Sequence, residues 1–186
     1  MPDPLTVAAA DWPAWATERV EVFAPDPHWL SKGERERGRL ESTLAALIVG
    51  RVEHVGSTSI PGLAAKPILD FQAQVTDLDS APQVAAVLAP QGWHLVPPEL
   101  DQRPWERFFV RVADERRRAH LHLFGVDAPH WYERLAFRDA LRADPALVDA
   151  YATLKTDLAA QHRDDREAYT RAKDTFVRRV LADVGG

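Results

Sequence analysis

The sequence predicts an α/β fold of the α+β type, in which a small mixed β-sheet with flanking helices is followed by a helical C-terminal region. Residues 51–75 indicate a buried strand, a loop rich in glycine and hydroxyl groups, and a second buried strand. Residues 108–112 and 120–124 indicate an antiparallel hairpin around a highly charged turn. From residue 129 to residue 183, apolar side chains recur at helical spacing.

The first quarter of the chain is predicted to add an arm, a short strand and a helix. Residues 1–18 are rich in proline and alanine and form the arm. The pattern at residues 19–24 alternates and predicts a short strand. A helix is predicted for residues 29–49, with Ser31 as its N-cap and Glu34 three residues later.

The remaining elements follow from the spacing of apolar residues. A helix is predicted for residues 79–91 and a strand for residues 93–96. Three helices are predicted near residues 129–142, 145–162 and 164–183. The second of these carries an apolar stripe of Leu147, Tyr151, Leu154 and Leu158. The stripes predict that the C-terminal helices pack together.

Composition limits the classes of protein to consider. With 186 residues, 46% of them hydrophobic, residues 1–186 are predicted to form a single domain around one core. The net charge of −5 argues against a nucleic-acid partner but leaves small anionic ligands open. The absence of cysteine excludes disulfides and thiolate metal sites. No segment has the pattern of a signal peptide or a membrane span, so we predict a cytoplasmic protein; its oligomeric state is left open.

The loop between the two buried strands has the composition of a phosphate-binding loop. Gly56 lets backbone N–H groups approach a ligand, and Ser57, Thr58 and Ser59 offer hydroxyl groups. Lys66, one of only four lysines, supplies a compact positive charge. The lysine does not directly follow the second glycine, so the loop is not a Walker P-loop. Ordinary turn chemistry is the alternative interpretation.

A carboxylate interrupts the second buried strand near its start. Burying Asp70 is costly unless the carboxylate is paired or binds a metal, so Asp70 is either a ligand or a satisfied structural acid. Gln72 faces the same side of the strand. Two-metal nucleotidyl transfer needs two or more carboxylates on such a face, and one acid with an amide holds Mg²⁺ less tightly. Glu53, one strand earlier, is interpreted as a surface residue, with substitution for the missing second acid as the alternative.

Two further pairs of residues are candidates for binding. His120 and His122 share a strand face, and with Asp70 they would form a two-histidine, one-carboxylate site for a divalent metal such as Fe(II), Mn(II) or Zn(II). Donation to a ligand phosphate and a place in a polar core are the alternatives. Arg138 and Arg142 lie one helical turn apart and suit a phosphate or carboxylate ligand, or else form a salt-bridged helix face.

The segment HVGSTSIPGLAAKPILD, at residues 54–70, resembles the signature of the GrpB family, also called the UPF0157 family. The similarity continues through HLHLF at 120–124, FRDALR at 137–142 and YATLK at 151–155. The family resembles nucleotidyltransferases of the DNA polymerase-β-like fold, which carry Gly-Ser or Gly-Gly after an apolar residue and then a strand with an acidic pair. Gly56-Ser57 and Asp70 match that pattern, while Gln72 occupies the second acidic position.

The resemblance implies a nucleotidyltransferase-like protein that binds a nucleoside triphosphate with Mg²⁺ and transfers a nucleotidyl group to an unidentified acceptor. The resemblance and the residue patterns above together predict Asp70 and Lys66 for catalysis, Gly56, Ser57, Thr58, Ser59, Lys66, Arg138 and Arg142 for the nucleotide, and Asp70, His120 and His122 for metal. The alternative is a non-catalytic ligand-binding or accessory module, since members of the family occur appended to dephospho-CoA kinases.

Overall fold

The computed structural model describes residue 15 and residues 19–101 and 103–185, apart from the side chains of residues 166 and 167. One mixed sheet has the strand order β1-β2-β5-β4-β3. Its strands are β1 (Val49–Val55), β2 (Leu69–Val75), β3 (Trp93–Leu95), β4 (Glu106–Ala113) and β5 (Arg116–Gly125). The helices are α1 (Trp29–Leu44), α2 (Ala81–Leu88), α3 (Pro98–Asp101), α4 (Pro129–Ala143), α5 (Pro145–Gln161), α6 (Arg166–Ala172) and α7 (Asp174–Gly185). The predicted mixed sheet with flanking helices and a helical C-terminal region is confirmed.

The register of the sheet gathers polar side chains on one face. β1 is antiparallel to β2, β2 is parallel to β5, and β4 is antiparallel to both of its neighbours. Asp70 lies opposite Val55 on one side and His120 on the other, and Gln72 lies opposite His122. Because directly opposed residues project from the same face, Asp70, Gln72 and both histidines share a face of the sheet.

The opposite face of the sheet is apolar and is covered by α1 and α2. Side chains alternate between faces along β2 and β5, so Phe71 and Leu121 point away from Asp70 and His120. Phe71 and Leu121 are fully buried together with Leu40 of α1. Burial of each such side chain contributes about 1.5–3 kcal/mol. A one-residue slip of either strand would move these side chains into the polar face, so the core holds the register.

A second core ties the loop after β1 to the C-terminal helices. Ile60 and Leu63 of the loop are buried against Tyr151 and Phe176. The rings of Tyr151 and Phe176 stack with centroids 5.0 Å apart. The position of the loop relative to the sheet therefore depends on α5 and α7.

The first helix ends earlier than predicted and has a different N-cap. It spans Trp29–Leu44, and Ser31 is not its N-cap. The Ser31 hydroxyl donates to the His28 carbonyl, while the Asp26 carboxylate accepts from the His28 N–H at 2.8 Å. Asp26 thus satisfies a donor ahead of the first turn, so the helix can start two residues earlier than Ser31.

The predicted strand at residues 19–24 is wrong. The segment makes one isolated antiparallel bridge, in which Phe23 and Ala65 exchange two backbone hydrogen bonds of 2.9 and 3.0 Å. Pro25 and Pro67 follow the two bridging residues and lack an N–H group. Proline cannot donate to a ladder, so the pairing does not extend.

Two predictions concern the ends of the chain. The helix predicted for residues 164–183 is two helices, α6 and α7, which meet at Lys173. The predicted arm of residues 1–18 lies outside the described residues except for Trp15, whose ring stacks on His94 with centroids 6.2 Å apart. Among the described residues, none of the helices has both the length and the hydropathy for a membrane span.

Candidate functional site

A cleft of about 520 Å³ lies over the polar face of the sheet, between the loop after β1 and the C-terminal helices. Its volume is typical of small-molecule sites. The cleft is lined by six basic side chains, Lys66, Arg103, Arg117, Arg134, Lys155 and Lys173, against two acidic ones, Asp70 and Glu133. Arg103 and Arg134 are ion-paired with the buried Glu106, and the basic groups still outnumber the acidic ones in a chain with a net charge of −5, which favours an anionic ligand.

The loop after β1 approaches Asp70 as closely as a glycine permits. Gly56 has φ of +67°, and a Cβ atom built on it would collide with the carboxylate of Asp70. Ser57 begins a single 3₁₀ turn directly after this contact and lines the cleft. The predicted meeting of Gly56 and Ser57 with Asp70 at one edge of the sheet is therefore present.

Gly56 has φ of +67° and ψ of −173°, a combination essentially confined to glycine, so we expect Gly56→Ala to lower the free energy of unfolding by about 1–3 kcal/mol from backbone strain alone. The clash with Asp70 adds a packing cost of about 1–3 kcal/mol. Gly62→Ala is the matched control, because Gly62 also has a positive φ, +74°, and an added Cβ meets nothing within 4 Å. Urea unfolding measures both variants. Equal losses would contradict the close contact between Gly56 and Asp70.

Asp70 and His120 form a hydrogen-bonded pair at the floor of the cleft, with His120 Nδ1 2.8 Å from Asp70 Oδ1. Burial raises the pKa of Asp70, but the hydrogen bond from His120, the charges that both imidazoles carry at low pH and the charge of Lys66 outweigh it, so the pKa lies well below its usual range. Burial lowers the pKa of His120 to about 4, against the attraction of Asp70. At neutral pH the pair is a carboxylate and a neutral imidazole, with the proton of Nδ1 directed at Asp70.

The neighbouring imidazole is oriented by a buried carboxylate. His122 Nδ1 lies 3.0 Å from Oε2 of Glu106, which also accepts from Arg134 at 2.9 Å. Burial, assisted by the charge of Arg134, lowers the pKa of His122. His122 is therefore also neutral at pH 7, and its hydrogen bond to Glu106 leaves Nε2 unprotonated.

These three side chains can hold a divalent metal. One ligand atom each of Asp70, His120 and His122 lies within 4.8 Å of the other two. Nε2 of His120 is buried and has no hydrogen-bond partner among the described residues, so its lone pair is available. Two imidazoles and one carboxylate suit Fe(II), Mn(II) or Zn(II). Mg²⁺ would depend on Asp70 together with phosphate oxygens of a ligand.

Gln72, at the second acidic position, does not line the cleft. It is fully buried, and its Nε2 donates to the carbonyl oxygen of Trp131 at 3.1 Å. Although Gln72 shares the strand face with Asp70, α4 covers it. Asp70 is consequently the only carboxylate of β2 among the cleft-lining residues described.

We expect Gln72→Asp to lower the free energy of unfolding by about 1–3 kcal/mol without tightening metal binding, because the new carboxylate would be buried facing a carbonyl oxygen. Gln74→Asp is the control, since Gln74 makes a similar bond of 2.8 Å to Val126 but is only half-buried. Its loss of stability should be smaller. Chemical denaturation and Mn²⁺ titration provide the measurements, and a tighter Mn²⁺ site in Gln72→Asp would contradict this placement.

Arg138 and Arg142 lie outside the cleft, together with Glu53. The prediction that Glu53 is a surface residue is wrong, because α4 covers the end of β1 and leaves Glu53 only 8% exposed. Arg138 donates to Glu53 at 2.7 Å, and Arg142 donates twice to the carbonyl oxygen of Ser59, at 3.1 and 3.0 Å. Both arginines line a separate surface pocket instead. The structure does not bring them together with Asp70.

Thr58 and Ser59 use their hydroxyl groups inside the loop. Thr58 donates to the Ile68 carbonyl at 3.2 Å and lies 3.1 Å from His54 Nε2. Ser59 donates to the Gly56 carbonyl at 2.7 Å. Both residues are buried, and of the three hydroxyl residues only the one at position 57 lines the cleft. Thr58 and Ser59 shape the loop, and we leave them out of the proposed binding site.

Lys155 belongs to the site, although sequence reasoning did not select it. The side chain is 2% exposed, and its ammonium group donates to Ser57 Oγ at 2.9 Å and to the Ala64 carbonyl. Burial, assisted by the charge of Lys173, lowers the pKa of Lys155 to about 7. The sequence feature that could have identified Lys155 is its position. It follows Tyr151 by one helical turn and therefore lies on the apolar stripe of α5.

Comparison with protein families identifies relatives over most of the chain. Residues 19–183 match the family described as GrpB protein. YqkA of Bacillus subtilis is 31% identical over 160 residues, which cover 86% of this chain and 46% of YqkA, so the chain spans about half of that relative. A UPF0157 protein of Deinococcus radiodurans is 34% identical, with 89% and 82% covered. A dephospho-CoA kinase of Mycolicibacterium paratuberculosis is 27% identical, with 86% and 44% covered.

Solved structures support the same grouping. The crystal structure of GrpB from Enterococcus faecalis is 30% identical, with a TM-score of 0.76, and 88% of this chain and 96% of that chain are covered. The Cid1 poly(U) polymerase with MgGTP bound is 12% identical, with a TM-score of 0.55, and 81% and 50% are covered. The second likeness is one of fold, and it identifies the architecture as nucleotidyltransferase-like.

Proposed function

Because the chain belongs to the GrpB protein family, we propose that its cleft binds a nucleoside triphosphate with a divalent cation and that the protein transfers the nucleotidyl group to an acceptor. The observation that carries this proposal is the meeting of Gly56, Ser57, Asp70 and Lys155 in one positively charged cleft. A triphosphate is highly charged and suits a cleft lined by six basic side chains and two acidic ones.

We assign the triphosphate to the end of the cleft where Ser57 and Lys155 are hydrogen-bonded. Lys173 also lines the cleft, and its charge acts on Lys155. An anion bound beside both ammonium groups offsets their mutual repulsion and the desolvation of Lys155. Lys66, whose ammonium lies 5.0 Å from the centre of the Tyr169 ring, adds a further positive charge to the lining.

The reaction assigned to the cleft is nucleotidyl transfer. An acceptor hydroxyl attacks the α-phosphorus, the bond from that phosphorus to the bridging oxygen breaks, and pyrophosphate leaves. Asp70, His120 and His122 would hold a divalent cation, which would neutralise phosphate charge. The ammonium of Lys155 stabilises charge that develops on the departing phosphates. The nucleotide and Mg²⁺ bound by Cid1 support the choice of ligands to test.

A second candidate function is a binding module without catalysis. The observation that favours it is Gln72, which is buried against α4 and leaves Asp70 without a second carboxylate on its strand. Two-metal transfer depends on several carboxylates, whereas nucleotide binding does not. The likeness to part of a dephospho-CoA kinase also suits an accessory role.

Calorimetric titration with each of the four ribonucleoside triphosphates, without metal and with Mg²⁺ or Mn²⁺, tests the proposal. We expect at least one nucleotide to bind about tenfold more tightly with metal. Failure of every nucleotide under all conditions would refute the proposal. If binding occurs, pyrophosphate release with a panel of hydroxyl-bearing acceptors separates the enzyme from the binding module.

A further inference from the structure

A second cavity adjoins the cleft where β2 and β5 begin. This hairpin groove has a volume of about 440 Å³ and includes the tip of the β4–β5 hairpin, with Arg116, Arg117 and Arg118 in its wall. Lys66, Ile68 and Arg117 line both cavities. The hairpin groove and the cleft are therefore adjacent and share part of their walls.

The hairpin groove has a small excess of basic side chains, although Arg19 is paired with Asp164 outside it. Its lining contains five basic side chains, Arg19, Lys66, Arg116, Arg117 and Arg118, against three acidic ones, Glu21, Asp114 and Glu115. Asp114 is largely exposed at the hairpin tip, where it pairs with Arg118 at 2.7 Å. The guanidinium of Arg117 lies 5.2 Å from the centre of the Trp15 ring, which fixes one basic group near the junction of the two cavities.

The groove lies within reach of the reacting centre. Ile68 precedes Asp70 by two residues, and Arg117 precedes His120 by three residues on the neighbouring strand. At about 3.3 Å per residue along a strand, these separations are about 7 and 10 Å. A small molecule that places an anionic group beside Arg117 can therefore extend a hydroxyl group toward Asp70.

We propose that the hairpin groove is the acceptor site and that the acceptor is a small phosphate ester carrying a free hydroxyl group. The proposal rests on the proposed function. The phosphate binds Arg116 and Arg117, and the hydroxyl oxygen forms a bond to the α-phosphorus of the nucleotide in the cleft. The bond to pyrophosphate breaks, pyrophosphate leaves, and the hydroxyl proton passes to water. A volume of about 440 Å³ suits a small molecule, and the net charge of −5 disfavours a nucleic-acid strand.

Ribose 5-phosphate is a suitable probe, because it carries a phosphate and free hydroxyl groups but no base. We expect it to bind without metal, ribose not to bind, and Arg116→Gln to weaken its binding about tenfold. Arg116 is exposed and lines the groove but not the cleft. Arg39→Gln is the control, since Arg39 lies on α1 and is 67% exposed.

The outcomes separate this proposal from the proposed function. Equal affinity of wild type and Arg116→Gln for ribose 5-phosphate would overturn the assignment of the acceptor to the groove. It would leave the proposal of triphosphate binding in the cleft intact. A decaribonucleotide could instead bind more than tenfold more tightly than ribose 5-phosphate, with the same dependence on Arg116. The acceptor would then be a nucleic acid, and the proposal of a small phosphate ester would be wrong. If wild-type protein binds no triphosphate, the groove cannot be an acceptor site, because no nucleotidyl group could be delivered to it.

Discussion

Replacement of Asp70 by asparagine is expected to weaken metal-dependent nucleotide binding by at least about tenfold, or about 1.4 kcal/mol. The amide oxygen can still accept the hydrogen bond from His120, but the charge that attracts the cation is lost. Without metal the same variant should bind the nucleotide more tightly than wild type, because Asp70 no longer repels phosphate. Calorimetry with and without Mn²⁺ measures both effects, which have opposite signs.

Asp157→Asn is the matched control for this experiment. Asp157 is exposed on α5, so its charge can be removed without touching the cleft. The depressed pKa of Asp70 also predicts a change in stability: the carboxylate stabilises the fold above its unfolded pKa, and this contribution is lost as the pH falls through the folded pKa. Asp70→Asn should therefore be less stable than wild type at pH 7. An unchanged affinity together with a higher melting temperature would mean that Asp70 is a strained structural acid.

The parts of the fold and of the site that were predicted correctly depend on local patterns. Alternation of apolar and polar residues along β2 placed Asp70 and Gln72 on one face, and the register with β5 added His120 and His122. Gly56 was predicted to let backbone N–H groups approach a ligand, and in the structure its missing side chain makes room for the Asp70 carboxylate. Short-range periodicity was sufficient to place side chains on a face of their own strand, whereas the pairing of β2 with β5, which brings Asp70 beside His120, joins residues 50 positions apart.

The predictions that failed depend on packing between distant segments. Whether Glu53 is exposed is decided by Arg138, 85 positions later, and whether Gln72 reaches the cleft is decided by Trp131. Thr58 satisfies the carbonyl of Ile68 across the loop instead of facing outward. Lys155 is buried because α5 packs beside the loop. Tertiary contacts of this kind leave no periodic pattern in the sequence from which they could be predicted.

Nucleotide binding should be coupled to protonation of Lys155. In the free protein burial lowers the pKa of Lys155 to about 7, and phosphate bound beside the ammonium should raise it again. Above pH 7 binding therefore takes up a proton. The affinity should then fall as the pH rises, with a slope that approaches about tenfold per pH unit, until the pKa of Lys155 in the complex is reached. Calorimetry in two buffers with different ionisation enthalpies measures the proton uptake directly.

The stability of the free protein should show the opposite trend. In the unfolded chain the side chain of Lys155 is exposed and has the ordinary lysine pKa of about 10.4. Between about pH 7 and that value the unfolded chain binds more protons than the folded protein, so stability rises with pH. Lys155→Met should abolish both the proton uptake and this rise, and it should weaken triphosphate binding at pH 6.5 at least about tenfold. Lys32→Met removes the ammonium of an exposed pair with Asp26 and should do none of these. If wild-type protein binds the triphosphate without proton uptake at pH 8, Lys155 does not bind phosphate, and the triphosphate must occupy another part of the cleft.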